Sequence, residues 1–244
     1  MTYYLLLAVA LATAALGFWL RRRSTVGGTP LLAVGCLACL ACLGWQVRQS
    51  LSGPSSNGPD RAQGIVAYFL ANQFLQQSGT QNGTVVLCFP PESVINEEAR
   101  ATYVGTFSRV LRTFPEFKVQ VLTLDAPTKA ARAGNVPLKA FQQLAGSTSS
   151  VVAYVSFAGV PANIEEFLPA APKSGPSFFA FDPSGNTHWL GSLRKGVVRA
   201  VVVPRPGVKY DDQISGEPSA IFDQLFLMAT PRTADQVAAT LSGK

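Results

Sequence analysis

TVVLCFPPESVINEEARATYVGTFSRVLRTFPEFKVQVLTL, residues 84–124, reads as one strand–helix–strand unit. Thr84 to Phe89 is a short, continuous apolar run, the pattern of a strand covered on both faces. Pro90 to Ser93 breaks it. Asn96 is a helix N-cap, with Glu97 and Glu98 in the first turn, where the helix dipole favours acids. Tyr103, Phe107, Val110, Leu111 and Phe114 keep the helical period, and Pro115 stops it. Phe117 to Leu124 is the second strand, ended by Asp125-Ala126-Pro127.

The same alternation extends both ways. Arg61 to Gln77 has the apolar stripe of a helix, closed by Gly79 to Gly83. Pro137 to Leu144 is a short helix, 150–157 (SVVAYVSF) a strand, and Asn163 to Leu168 a helical turn. The runs 177–181 (SFFAF) and 197–203 (VVRAVVV) are strands four and five. A helix follows over Ser219 to Ala229, and another from Thr233 to Leu241. Strands alternating with helices predict an α/β, Rossmann-like domain over 61–244, with a mainly parallel five-stranded sheet flanked by helices.

The N-terminus has a different character. Tyr3 to Leu20 and Pro30 to Val47 lack Lys, Arg, Asp and Glu, and each has the length of a helical membrane span. Arg21, Arg22 and Arg23 lie between them. Arginines beside a membrane span stay cytoplasmic, so the loop is expected inside and everything after Arg48 outside. The expected organisation is a transmembrane helical hairpin over 1–48, a Gly/Pro/Ser linker over 49–60, and an extracytoplasmic domain over 61–244. The domain is then periplasmic or extracellular. A cleaved signal peptide fits less well, because no positive residue precedes the first run and no A-x-A site follows the second. A lipoprotein signal at Cys39 or Cys42 has Cys rather than Leu at −3.

The formal charge of +6 is mostly a topology signal. Setting aside Arg21–Arg23 and Arg48 leaves 16 basic against 14 acidic residues over 49–244. No basic stripe remains, so nucleic acid is not expected as a partner. Cys36, Cys39 and Cys42 read as a small-residue helix face that suits packing in lipid, and Cys88 is alone in the outer domain, which excludes a disulfide framework there. No metal and no cofactor are expected.

Catalytic signatures are absent. There is no G-x-G-x-x-G, P-loop or G-x-S-x-G. The one histidine, His188, follows the turn-forming run Asp182-Pro183-Ser184-Gly185-Asn186, whose composition the turn itself explains. Asp211-Asp212 lies in the long Pro204–Pro218 loop, where a hydrated cation or a partner is one reading.

The order of segments resembles one lobe of a type I periplasmic-binding protein of the sugar-binding sort. Three stretches carry the likeness: the Gly-rich turn into TVVL; Asn96-Glu97-Glu98-Ala99-Arg100 with its helix and the join at Phe114-Pro115; and Leu193 to Gly196 leading into VVRAVVVPRP. One lobe fits where such proteins have two, and Gly105 follows Arg100 by five residues where the pattern has three. The resemblance implies ligand contacts at the carboxyl ends of the strands, as in open α/β sheets generally. The candidate residues are Glu92, Ser93, Arg100, Asp125, Gly159, Asp182 and Arg205, and no catalytic residue is assigned. Arg100 matches the family's arginine, which contacts a sugar hydroxyl or a carboxylate.

The expected function is a membrane-anchored binding or scaffolding module without catalysis. It is either an accessory subunit of a membrane assembly, with a protein partner in the membrane or periplasm, or a binder of a small polar ligand. Membrane lipid meets the hairpin. The alternative is an extracytoplasmic enzyme of unassigned reaction type.

Overall fold

The structure is a computed structural model. It describes residues 59–78, 82–145, 150–168, 175–208 and 216–243, with isolated positions between 13 and 38. The chain divides into two compact units, Met1–Ser55 and Ser56–Lys244. The described positions of the first unit, such as Thr13 and Val34, are helical. Most of the two apolar runs, the arginine loop between them and the linker up to residue 58 lie outside the described residues. Among the described residues, no helix is long and apolar enough to cross a membrane.

The second unit is a layered α/β domain. In chain order it comprises α1 (Pro59–Ser78), β1 (Gly83–Phe89), α2 (Glu97–Leu111), β2 (Phe117–Thr123), α3 (Thr128–Arg132), α4 (Leu138–Ala145) and β3 (Val151–Ser156). Then follow α5 (Ile164–Phe167), β4 (Ser177–Phe181), α6 (Leu190–Arg194), β5 (Val198–Pro204), α7 (Pro218–Leu225), β6 (Phe226–Ala229) and α8 (Ala234–Leu241). The sheet order is β2-β1-β3-β4-β5-β6. The first five strands are parallel, with Val85 opposite Val119 and Val86 opposite Tyr154 in register. The last strand, β6, runs antiparallel to β5.

All five expected strands form, and a sixth corrects the expectation of five. The helix expected over 219–229 ends at Leu225, where Phe226 turns extended at φ −131°, ψ 163°. Short apolar runs do not distinguish helix from strand by period alone. The open edge of β5 decides here: Val202 pairs with Met228, and the ladder satisfies backbone groups that a longer helix would leave exposed. The short helices α3 and α6 also form, in stretches to which the sequence reading assigns no element.

Alternation along the strands explains the two cores. Val85, Leu87 and Phe89 face one side with α1, α2 and α7. Val86 and Cys88 face the other with residues of α3 to α6 and α8. Successive Cβ atoms point to opposite faces, so a strand buried on both sides is apolar throughout. The cap at Asn96 forms as expected: its Oδ1 accepts from Ala99 N at 2.8 Å. The helix stops at Leu111, leaving Phe114 in the following turn and 37% exposed.

Candidate functional site

The sheet reverses its winding at β1, whose neighbours are β2 on one side and β3 on the other. In an open parallel sheet, the crevice for a ligand lies outside the carboxyl ends at such a reversal. The loop after β1 carries Glu92 and Ser93, and the first turns of α2 bring Arg100 above it. The Arg100 guanidinium carbon sits 5.6 Å from the centroid of the Phe89 ring, the last side chain of β1. Its Nη1 is 3.9 Å from Glu92 Oε1. Among the described residues, Arg100 makes no side-chain hydrogen bond. Phe89 is itself stacked on Phe157 at 4.8 Å, and Tyr103 of α2 packs on Phe157 at 4.4 Å. The arginine therefore stands on an aromatic support, ion-paired with Glu92 and with no donor committed to a side-chain hydrogen bond among the described residues.

Beside it opens a cleft of about 480 Å³ lined by Glu92, Ile95, Asn96, Glu97, Arg100, Ala101, Val104 and Val121. Ser93 joins the loop to α3: its Oγ lies 2.8 Å from Thr128 Oγ1, and its carbonyl accepts from Arg132 Nη2 at 3.3 Å. Sequence reasoning missed Thr128 and Arg132. Their only signal was a Thr after Pro127 opening a short helix. Asp125 is exposed at the end of β2, next to β1 in the sheet.

The other expected site residues lie elsewhere. Gly159 and Asp182, past the ends of β3 and β4, are buried. Gly159 N donates to Phe181 O, and Ser156 Oγ donates to the Gly159 carbonyl. Gly134, between α3 and α4, lies over both. A Cβ built on Gly159 would meet the Gly134 carbonyl at 2.8 Å, and one built on Gly134 would meet Asp182 Oδ1 at 2.7 Å. The α3–α4 turn thus closes the strand ends at β3 and β4. Arg205 belongs to a third place: its Nε donates to Asp223 O and its backbone N to Leu225 O, tying the end of β5 to α7. The loop portion 209–215, with Asp211 and Asp212, lies outside the described residues.

Asp182 is fully buried. Its Oδ1 accepts from Ser184 N at 3.0 Å and Ser184 Oγ at 2.6 Å, so this pair builds a turn. Its Oδ2 and the Trp189 Nε1 have no hydrogen-bond partner of ordinary geometry, although the indole lies close enough to favour the carboxylate. Burial pushes the Asp182 carboxyl above the usual carboxylate range, against the opposing effects of Ser184, His188 and Trp189. A carboxyl raised on folding holds its proton more tightly in the folded protein. The stability it contributes is fully present below the unfolded value of about 3.9 and is lost as pH rises through the raised folded value. The melting temperature of the wild type relative to Asp182→Asn should therefore rise as pH falls from neutral through the weakly acidic range. Parallel melting profiles for the two proteins would show that Asp182 does not titrate in that range.

His188 is exposed, and its Nε2 lies 2.6 Å from the Val160 carbonyl. It borders a second cleft of about 350 Å³ with Asn163, Glu165, Glu166, Ser192 and Lys195. There Lys195 Nζ bonds Glu165 Oε2 at 2.7 Å. That hydrogen bond is the main cause holding the Glu165 carboxyl below its ordinary value. Among the described residues, no group of three or more His, Cys, Asp or Glu side chains is placed to hold a metal ion. Burial raises the Cys88 thiol to about 12, which leaves it a core residue.

No family model matches the chain, and no curated protein is similar to it in sequence. Solved structures are similar in fold. A galactofuranose binding protein aligns with TM-score 0.51 and 9% identity, over 74% of this chain and 63% of that one. A putative LacI transcriptional regulator from Bacteroides fragilis aligns with TM-score 0.48 and 14% identity, over 73% and 62%. The XylFII molecule aligns with TM-score 0.43 and 15% identity, over 78% and 58%. The chain spans less than two thirds of the length of each. The fold is type I periplasmic-binding-protein-like, and at this identity the likeness is one of fold alone.

Proposed function

We propose that the domain is a membrane-anchored, extracytoplasmic binding module for a small polar ligand, which it takes up beside Arg100. One observation carries the reading. Arg100 is held over Phe89 at the sheet reversal, makes no side-chain hydrogen bond among the described residues, and borders an open cleft of about 480 Å³. A side chain held by Phe89 and Glu92, with its donors outside any hydrogen bond, costs little ordering when a ligand arrives. Glu92, Ser93 and Asp125 border the same strand ends, while Gly159 and Asp182 serve as framework beneath the α3–α4 turn. The galactofuranose binding protein that shares the fold takes a small polar ligand, which agrees with this reading.

Calorimetry with a panel of sugars, amino acids and carboxylates tests it. Arg100→Ala should weaken the best ligand by about 1–3 kcal/mol, the worth of a hydrogen bond to a charged group, with little change in melting temperature. Equal affinity in wild type and variant would move the site away from Arg100.

Anchoring belongs to the same reading. The two uncharged 18-residue runs flanking Arg21–Arg23 form the hairpin, membrane lipid surrounds it, and a protein partner in the membrane or periplasm completes the assembly. A cysteine at Ser55, in a background without native cysteines, should react with a membrane-impermeant reagent in intact cells. Reaction only after lysis would reverse the orientation.

A further inference from the structure

We propose that the domain pairs with a second copy of itself edge to edge through β2, the two strands running antiparallel, so that the two sheets continue as one. The pairing does not rest on the ligand reading. The hydrogen bonding of β2 carries it. Gly83 N donates to Glu116 O and Leu124 N to Phe89 O, so the even-numbered residues of β2 bond β1 in the parallel ladder. The N–H and C=O groups of Val119, Val121 and Thr123 then point away from the sheet. Among the described residues these groups have no hydrogen-bond partner. The opposite edge is closed. There β6 has four residues, the Phe226 N–H is spent on Phe222 O, and Met228 O accepts from Thr233 Oγ1. Exposed edges are normally blunted by shortness, proline, bulges or charge. In contrast, β2 has seven residues, no proline and an unbroken register with β1, and its one charge, Lys118, stands near its start.

Two features select a second copy as the occupant. The first is charge. The carboxyl end of β2 exposes Asp125, with Glu92 and Glu97 at the same end of the sheet, while the amino end exposes Arg109, Arg112 and Lys118 against Glu116. Antiparallel pairing of two copies sets each acidic end beside the other's basic end. The second is register. Centred on Gln120, the pairing matches the whole of Phe117–Thr123 with itself and sets Val119 opposite Val121, a β-branched pair of the kind that stabilises a ladder. It also sets outward-pointing residues opposite one another, as hydrogen-bonded pairs require. The two Lys118 side chains fall about 13 Å apart, four residues along the strand, beyond strong repulsion in salt. The strand edge alone is too narrow for the roughly 800 Å² per partner of a standard interface. Ala101 and Val104 of α2 border the same cleft as Val121, so this helix face stands beside the edge. It continues through Gly105 and Ser108 at helical spacing, and a Cβ on Gly105 would meet nothing within 4 Å, which leaves room for the second copy's α2.

Light scattering on the full chain in detergent micelles, over a dilution series, tests the pairing. A dimer that dissociates on dilution is expected. Val121→Pro removes only an outward N–H, so the melting temperature should change little. The same variant should raise the dimer dissociation constant at least about tenfold, for two lost hydrogen bonds. Val119→Lys with Val121→Lys sets lysine against lysine and should give monomers, and mixing with the chain carrying Val119→Glu and Val121→Glu should restore pairing. In a background without native cysteines, Gln120→Cys should cross-link to its counterpart, because opposite Cα atoms in such a pair lie within disulfide reach, whereas Lys118→Cys should not. A chain that is monomeric throughout overturns the proposal and leaves the edge to the strand of another protein. A dimer that survives both Val121→Pro and the lysine pair is held elsewhere, and overturns it as well.

Discussion

Trp189→Ala should cost the domain about 3–5 kcal/mol, the range for removing a large aromatic from a packed core. The indole is fully buried in the core formed by α3 to α6 and α8, among residues that include Phe178, Leu193 and Val198. A domain of ordinary stability has about 5–15 kcal/mol in total, so this single change would remove about a fifth of it or more. The variant should unfold at a much lower urea concentration, followed by circular dichroism because Trp189 is the domain's own fluorophore. Trp189→Phe separates volume from polarity. It keeps most of the apolar bulk and removes an indole N–H that makes no hydrogen bond of ordinary geometry, so it should keep most of the stability that the alanine variant loses. A loss below about 1 kcal/mol for the alanine variant would mean that the surroundings collapse into the space.

Trp189 also shows how far the sequence could be read. Its neighbour His188 draws attention as the one histidine, yet the structure gives the packing role to the tryptophan and leaves the histidine at the surface against the Val160 carbonyl. The five parallel strands were legible because buried parallel strands are short apolar runs between turn-forming residues. Thr84–Phe89 and Ser177–Phe181 fall almost residue for residue on β1 and β4. Phe226–Ala229 was not legible, because its four apolar residues continue the helical pattern of α7 and only the open edge of β5 makes them a strand. The same distinction governs the candidate site. Glu92, Ser93 and Arg100 come together because a strand, its loop and the next helix are contiguous in sequence. Gly159 and Asp182 also follow strand ends, but α3 and α4 come from another part of the chain and close over them through Gly134. That closure is a long-range packing fact with no local signature.

Gly159→Ala tests the closure directly and should cost about 2–5 kcal/mol. Two effects add. Gly159 has φ +87°, in the region where an L side chain costs roughly 1–2 kcal/mol. The new Cβ would also meet the Gly134 carbonyl at 2.8 Å and its Cα at 3.3 Å. Both are backbone atoms, so no side chain can swing aside, and overpacking of this kind costs about 1–3 kcal/mol more. Gly159 cannot retreat either, since its N–H is bonded to Phe181 O and its carbonyl to Ser156 Oγ. Gly185→Ala is the matched control. It has φ +67° but nothing within 4 Å of a new Cβ, so it should show the backbone cost alone. The difference between the two variants in urea denaturation measures the closure of the α3–α4 turn over the strand ends, and equal losses would mean that Gly134 does not press on Gly159. The same pair separates framework from site. If ligand is held by Arg100 beside Phe89, Gly159→Ala should lower stability while leaving the affinity of the folded protein within about twofold. A large loss of affinity would instead place ligand contacts at the end of β3.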